Sequence, residues 1–175
     1  KLLHLQSHAI PYEKWLQTHQ PFHWFAEFYE IVQARGGFDV IIGNPPYVEY
    51  SKVRTQYKVN GYTVISSGNL FALVSERARK FISNKGYFSF IVPISVICTQ
   101  RMEPVQKLCF NTNTVWISNY GERPSKLFTG AEVLLTIFIV SPENINPTTY
   151  TTLFTKWKSE ERSLLFDKLS YHKVF

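Results

Sequence analysis

Apolar residues recur at helical spacing most clearly at Leu70, Leu73, Val74, Ala78 and Phe81, with charged residues between them. With Asn69 placed to cap the first turn, this spacing predicts an amphipathic helix, closed by Asn84-Lys85-Gly86. Elsewhere short continuous apolar runs replace the period. Asp39-Val40-Ile41-Ile42 is β-branched and stopped by Gly43-Asn44-Pro45-Pro46, so it reads as a buried strand ending in a rigid loop. Tyr87 to Pro93 reads as the strand after the helix, followed by a weaker helix from Arg101 to Phe110. Two more strands are expected at Thr114 to Ser118 and at Val133 to Val140. Between strand and helix, Val48 to Ser67 is polar, tyrosine-rich and without a period, as a loop-like insert would be. The start of the chain is broken by Pro11 and Pro21, with one short helix expected from Tyr12 to His19. From Ser141 the chain is turn-rich, and a charged stretch from Lys156 to Lys168 suggests a final helix.

Strand, loop, helix, strand, helix, strand, strand is part of an open α/β sheet with crossover helices. As a complete doubly wound fold it is short by about two or three strand–helix units. Met102 is the only methionine and the chain opens on Lys1, so it is expected to be a piece of a longer protein with the missing half before Lys1. Three segments follow: an aromatic-rich lead-in over 1–37, a central part over 38–147 and a tail over 148–175.

Composition narrows the class. At 175 residues, with 45% apolar and 18% charged residues, the chain can build one real core and is neither disordered, collagen-like nor a coiled coil. Its 28 aromatics (14 Phe, 10 Tyr, 4 Trp) demand burial or stacking partners. A net charge of +6 tilts the partner towards nucleic acid. Cys98, Cys109 and five scattered histidines make neither a disulfide framework nor a zinc site, and both cysteines read as small buried residues. Nothing resembles a signal peptide, and no apolar run approaches the roughly 20 residues of a membrane span, so a reduced cytoplasmic compartment is expected.

Ligands of open α/β sheets bind at the carboxyl ends of strands, and that position holds Gly43-Asn44-Pro45-Pro46-Tyr47. Each proline fixes φ near about −65°, and Asn44 before a proline is pushed to an extended conformation. The loop therefore holds its shape without a ligand and presents two acceptors, the Asn44 side-chain oxygen and the Pro45 carbonyl. Converging acceptors suit an amine with two hydrogens, and Tyr47 offers a flat face to a planar ring. Pulling those hydrogens out of the ring plane localises the lone pair of an arylamine towards a cationic methyl donor, for which orientation is the main requirement. The plainer alternative is a double-proline turn in which Asn44 bonds its own backbone.

The run Phe38 to Val48 resembles motif IV of the amino-methyltransferases that use S-adenosylmethionine, most strongly the gamma-type adenine-N6 DNA methyltransferases of restriction–modification and phage-defence systems. The resemblance extends from Pro21-Phe22-His23-Trp24, Glu27-Phe28 and Gly36-Gly37 through Gly68-Asn69-Leu70-Phe71, Gly86-Tyr87 and Ile91-Val92-Pro93 to Leu127-Phe128-Thr129-Gly130-Ala131, about residues 21 to 140. It implies the C-terminal part of a Rossmann-like methyltransferase sheet whose cofactor half is missing. It also implies a catalytic set of Asn44, Pro45, Pro46 and Tyr47. Tyr47 and Phe128 would pack against a flipped adenine. Asn44, Pro46, Leu70 and Val74 would lie at the cofactor, S-adenosylmethionine, and no metal is implied. Leu70 and Val74 would equally be apolar in any buried helix. Base flipping agrees with the physics, since a paired exocyclic amine cannot reach a protein loop. Double-stranded DNA in a bacterial or archaeal cytoplasm is the implied partner, with no membrane.

The family's glycine-rich turn and its acidic ribose partner are absent, and both would precede motif IV. A recognition domain would follow the tail. These 175 residues alone are therefore expected neither to bind the cofactor well nor to methylate. Two alternatives stand beside this reading: an amino-methyltransferase acting on RNA or a protein glutamine, and a non-catalytic module that binds DNA or a subunit through an apolar sheet edge. Tyr47, Tyr50, Tyr57 and Tyr62 with Lys52, Arg54 and Lys58 suit either a nucleic-acid channel or a solvated loop. Asp39, at the far end of its strand, is expected to make a structural hydrogen bond. No nuclease signature is present.

Overall fold

The computed structural model describes residues 11–20, 22–56, 58–128, 130 and 132–174. Pro21, Tyr57, Thr129 and Ala131, used in the reading above, lie outside them. The lead-in forms α1 (Tyr12–His19), α2 (Trp24–Glu27) and a π-helical turn at Glu30–Ala34 before β1 (Phe38–Gly43). Its aromatics pack on one another and on the scaffold. The Phe28 ring lies 5.2 Å from that of Phe38, and Trp24 lies 5.6 Å from Phe81. Gly37 marks how tightly the lead-in docks, because its φ is +128° and a Cβ there would stand 2.5 Å from the Phe81 carbonyl oxygen.

The predicted amphipathic helix is α3 (Leu70–Phe81), and Asn69 caps it by accepting from the Phe71 N–H at 3.3 Å. Phe71, Ala72, Leu73, Ala78 and Phe81 are buried, and full burial of a side chain such as Phe71 contributes about 1.5–3 kcal/mol. The chain then runs through β2 (Ile82–Pro93), α4 (Ser95–Cys98), a 3-10 turn at Gln100–Met102, α5 (Glu103–Phe110), β3 (Asn113–Tyr120), β4 (Leu135–Glu143), β5 (Thr149–Thr155) and β6 (His172–Lys173). The strands form one mixed sheet in the order β1-β2-β4-β3-β5-β6. β1 with β2 and β3 with β5 are parallel, while β4 runs antiparallel to both its neighbours. The main core lies between one sheet face and the helices α3 and α5, built from Phe71, Phe88, Phe90, Val105, Ile117 and Phe138 among others. A second, smaller core on the opposite face of the sheet joins Tyr120, Trp157 and Leu165, with Leu127 and Ile137 packed against it.

Several expectations are corrected. β1 is not buried: it pairs only with β2, and Val40 and Ile42 are 62% and 78% exposed because no described element covers their side. The second strand starts at Ile82 rather than Tyr87, with residues 83–86 bulged out between the pairs Phe38↔Ile82 and Val40↔Tyr87. Asn84-Lys85-Gly86 is thus a bulge rather than a helix stop. The fourth strand begins at Leu135 and runs on to Glu143, so the turn-rich start assigned to the tail is partly strand. Thr149–Thr155 was missed as a strand because its threonines, at 149, 151, 152 and 155, break any period-2 apolar face. Only a 3-10 turn, Ser159–Leu164, forms within the charged stretch expected to be helical. The insert over 48–67 is ordered by 3-10 turns at Tyr50–Lys52 and Ile65–Ser67 and by the fully buried Val64. Cys98 is exposed at the end of a four-residue helix, while Cys109 is buried. The Asp39 side chain is exposed and makes no hydrogen bond among the described residues. No helix among the described residues is long and apolar enough to cross a membrane.

Candidate active site

The Asn44-Pro45-Pro46-Tyr47 loop follows β1 directly, at its carboxyl end. Pro45 is buried, whereas Asn44 and Pro46 are exposed. The Asn44 side chain makes no hydrogen bond among the described residues, and neither does the Pro45 carbonyl. Asn44 therefore does not bond its own backbone, and neither acceptor has a partner among the described residues. Tyr47 is half-buried and its hydroxyl donates to the Ile91 carbonyl at 2.9 Å. That bond ties the ring to β2 and orients its face. Burial also pushes the phenol up to about 12, so it stays protonated and donating across the physiological range.

The loop's exit is clamped to the start of α3. Leu70 N–H donates to the Val48 carbonyl and Tyr50 N–H to the Gly68 carbonyl, both at 2.8 Å. Asn69 Nδ2 donates to Glu49 Oε1 at 3.1 Å, and Arg101 pairs with the other oxygen of Glu49. The Arg101 bond, with help from Asn69, holds the Glu49 carboxyl below the usual carboxylate range against the opposing effect of burial. The Arg101 guanidinium lies directly over Gly68, where φ is +64° and a side chain would collide with it.

Glu76 anchors the insert from below. Its Oε2 accepts from Thr63 N–H at 2.7 Å, Thr63 Oγ1 at 2.9 Å and Val64 N–H at 3.1 Å, and its Oε1 pairs with Lys80 at 3.0 Å. Burial raises the carboxyl, but these bonds outweigh it and hold the group below its ordinary value. Glu49, Arg101 and Glu76 were missed from sequence. Only Glu76 left a signal, since it falls four residues after Ala72 and three after Leu73, on the apolar face of α3.

Phe128 stands opposite Tyr47, with ring centroids 6.5 Å apart and planes at 38°. Its loop is held from the tail: Arg162 donates to the carbonyls of Lys126 at 3.1 Å and Leu127 at 2.5 Å, and the hydroxyls of Ser125 and Ser159 lie 3.0 Å apart. Pro46, Leu70 and Val74 line one groove of about 660 Å³ beside the β1 edge, with Val40, Ile42 and Arg77; Asn44 is not part of its lining. Tyr50 and Tyr62 pack on the main core rather than forming a row, while Lys52, Arg54 and Lys58 face solvent. No group of three or more potential metal ligands occurs among the described residues.

Comparison with known proteins places the family and the fold. Residues 4–128 match the model of the Eco57I restriction-modification methylase family. A relative from Methanocaldococcus jannaschii, named as a type II restriction enzyme and methyltransferase, is 31% identical over 114 residues, which is 65% of this chain and 9% of that relative's length. The fold resembles the Type ISP restriction-modification enzyme LlaGI, solved as a nuclease-deletion mutant with a DNA substrate mimic, at a TM-score of 0.61, 15% identity, 91% of this chain and 20% of that one. It also resembles DrdV, solved in complex with DNA, at a TM-score of 0.60, 16% identity, 86% of this chain and 18% of that one. The mixed sheet is thus one shared with restriction–modification enzymes, and the match extends from the lead-in through the Asn-Pro-Pro-Tyr loop to Phe128. This chain belongs to the Eco57I restriction-modification methylase family.

Proposed function

We propose that this chain is the catalytic-loop part of an adenine-N6 DNA methyltransferase, transferring a methyl group from S-adenosylmethionine to the amine of an adenine flipped from the duplex. The observation that carries the reading is the gap between Tyr47 and Phe128 beside the free acceptors of Asn44 and Pro45. A planar base in contact on both faces needs flanking rings about 7 Å apart, twice the ~3.5 Å carbon contact distance. The rings stand 6.5 Å apart, so a small opening and a turn towards parallel would admit a base. Asn44 and Pro45 would then accept the two amine hydrogens and localise the nitrogen lone pair. Asn44 is exposed, so water can take the proton that the nitrogen sheds after transfer.

The groove lined by Pro46, Leu70 and Val74 fits the apolar faces of an adenine ring, and those three residues would hold that part of the cofactor. When bound, its sulfonium supplies the methyl group as an electrophile. Arg77 is the one charged residue in the groove's lining, so partners for the cofactor's ribose and amino-acid groups belong elsewhere in this reading. The DNA substrate mimic bound to LlaGI, the DNA bound to DrdV and the net charge of +6 support a nucleic-acid substrate. In this reading the cofactor half and a recognition domain sit on other parts of the same protein, working in a bacterial or archaeal cytoplasm.

The test is transfer of labelled methyl groups by the product of the complete reading frame to unmethylated DNA, RNA and protein, beside Asn44→Ala. We expect label in DNA that falls at least about 100-fold in the variant. Label in RNA or protein instead, or no transfer by a folded protein, would overturn the reading.

A further inference from the structure

Between the Phe128 loop and the tail lies a second cavity of about 480 Å³, lined in part by Ser125, Lys126, Phe128, Trp157, Ser159 and Arg162. Its lining holds two cations and no carboxylate. Arg162 has five N–H donors and uses two on the Lys126 and Leu127 carbonyls, with no ion pair among the described residues. Lys126 pairs at 3.1 Å with Glu132, which is 83% exposed, and such a pair is easily exchanged. Trp157 is 3% exposed, and its indole N–H is buried with no acceptor among the described residues. A buried donor normally finds a partner, and here one is wanting.

We propose that this cavity binds a backbone phosphate of the DNA strand from which the target base is drawn. The proposal rests on the reading above, in which Phe128 lies against the flipped base. Phe128 borders both the cavity and the gap facing Tyr47, so the cavity is one side chain away from the base. An extruded nucleotide carries its phosphates alongside its base, and a phosphodiester offers one charge and two free oxygens to match Lys126, Arg162 and the serine hydroxyls. Phosphate contacts fix position without reading sequence. The cavity would therefore hold the rotated backbone while the Asn44 loop engages the base. The tail supplies Trp157, Ser159 and Arg162 to its lining and also fastens the Phe128 loop, so base packing and phosphate binding share one support.

The test uses the complete protein and duplexes bearing a single neutral methylphosphonate at each position flanking the target adenine. We expect one position to weaken binding about tenfold or more. Lys126→Gln should weaken binding to the unmodified duplex about tenfold, lower the salt slope by about one, and abolish the extra loss at that position. Lys126 is the cleaner probe, since Arg162 also anchors the loop; Arg162→Lys should retain more affinity than Arg162→Gln. If Lys126→Gln leaves affinity and salt slope unchanged while Asn44→Ala still abolishes transfer, the phosphate site is wrong and the function stands. A loss equal for every duplex would also overturn it, as a diffuse charge effect. A wild-type protein that neither binds nor methylates DNA would remove both.

Discussion

The ring centroids of Tyr47 and Phe128 lie 6.5 Å apart with their planes tilted by 38°, yet each ring is held by a different part of the fold. Tyr47 is fastened to β2 through Ile91, and the Phe128 loop is fastened to the tail through Arg162. The spacing of the two rings is therefore supported from two separate parts of the scaffold. In the proposed function these supports hold the rings near the spacing a base needs, so that only a small opening and turn remain when DNA arrives.

Removing the Tyr47 ring should therefore be far worse than removing its hydroxyl. Tyr47→Ala should lower methyl transfer about 10- to 100-fold, the range of one lost base–aromatic stack. Tyr47→Phe keeps the face and loses only the bond to Ile91, for a drop of a few fold, about the worth of one hydrogen bond. Phe128→Ala should fall between them. Steady-state transfer to DNA by the complete protein reads all three.

Tyr47 also predicts an alkaline limit. Its phenol is raised from 10.0 to about 12 by burial, so the folded state favours the protonated form. The associated stability is complete below pH 10 and is lost as pH rises through about 12. Tyrosinate absorbance in the native protein, compared with Tyr47→Phe, should show one phenol titrating late. Titration of that phenol at an ordinary value would contradict the burial.

Glu76 should be the polar residue most costly to remove. Glu76→Ala strands the Thr63 and Val64 N–H groups, while the half-exposed Lys80 keeps its solvent, for a loss of about 2–3 kcal/mol in urea unfolding. Because its carboxyl is held below the ordinary value, its contribution is present above the unfolded value and fades as pH falls through the folded one. Glu76→Gln should flatten that acid dependence.

The two cysteines should separate cleanly under thiol labelling. Cys98 is exposed and should react at once in the native protein. Cys109 is buried, its thiol pushed up to about 12 by desolvation, and it should react only when the chain unfolds. Two fast thiols would mean that the helix carrying Cys109 is not packed as described.

What could be read from the chain alone was whatever local chemistry dictates. The period of Leu70 to Phe81 and the capping Asn69 define a helix without reference to anything distant. Likewise Asn44-Pro45-Pro46-Tyr47 is rigid by its own covalent geometry, so its place after an apolar strand already marked it as the candidate site. Phe128 entered only through family resemblance, since nothing in its immediate neighbours distinguishes it from a core residue. Boundaries failed where pairing overruled propensity. Ile82 joins the sheet before the apparent turn because β1 offers it a partner, and Thr149–Thr155 becomes a strand because β3 does.

Only the tertiary structure decided how distant polar groups meet. Glu49 with Arg101, Glu76 with Thr63, and Arg162 with the carbonyls before Phe128 are joined by the path of the chain. No spacing rule reaches across such loops, because a hydrogen bond between remote residues leaves no period in the sequence. The exposure of Val40 and Ile42 was hidden for the same reason: apolar character says that a strand can be buried, and only its neighbours say whether it is. The chain's own residues specified the rigid Asn-Pro-Pro-Tyr loop, and the fold specified what stands around it.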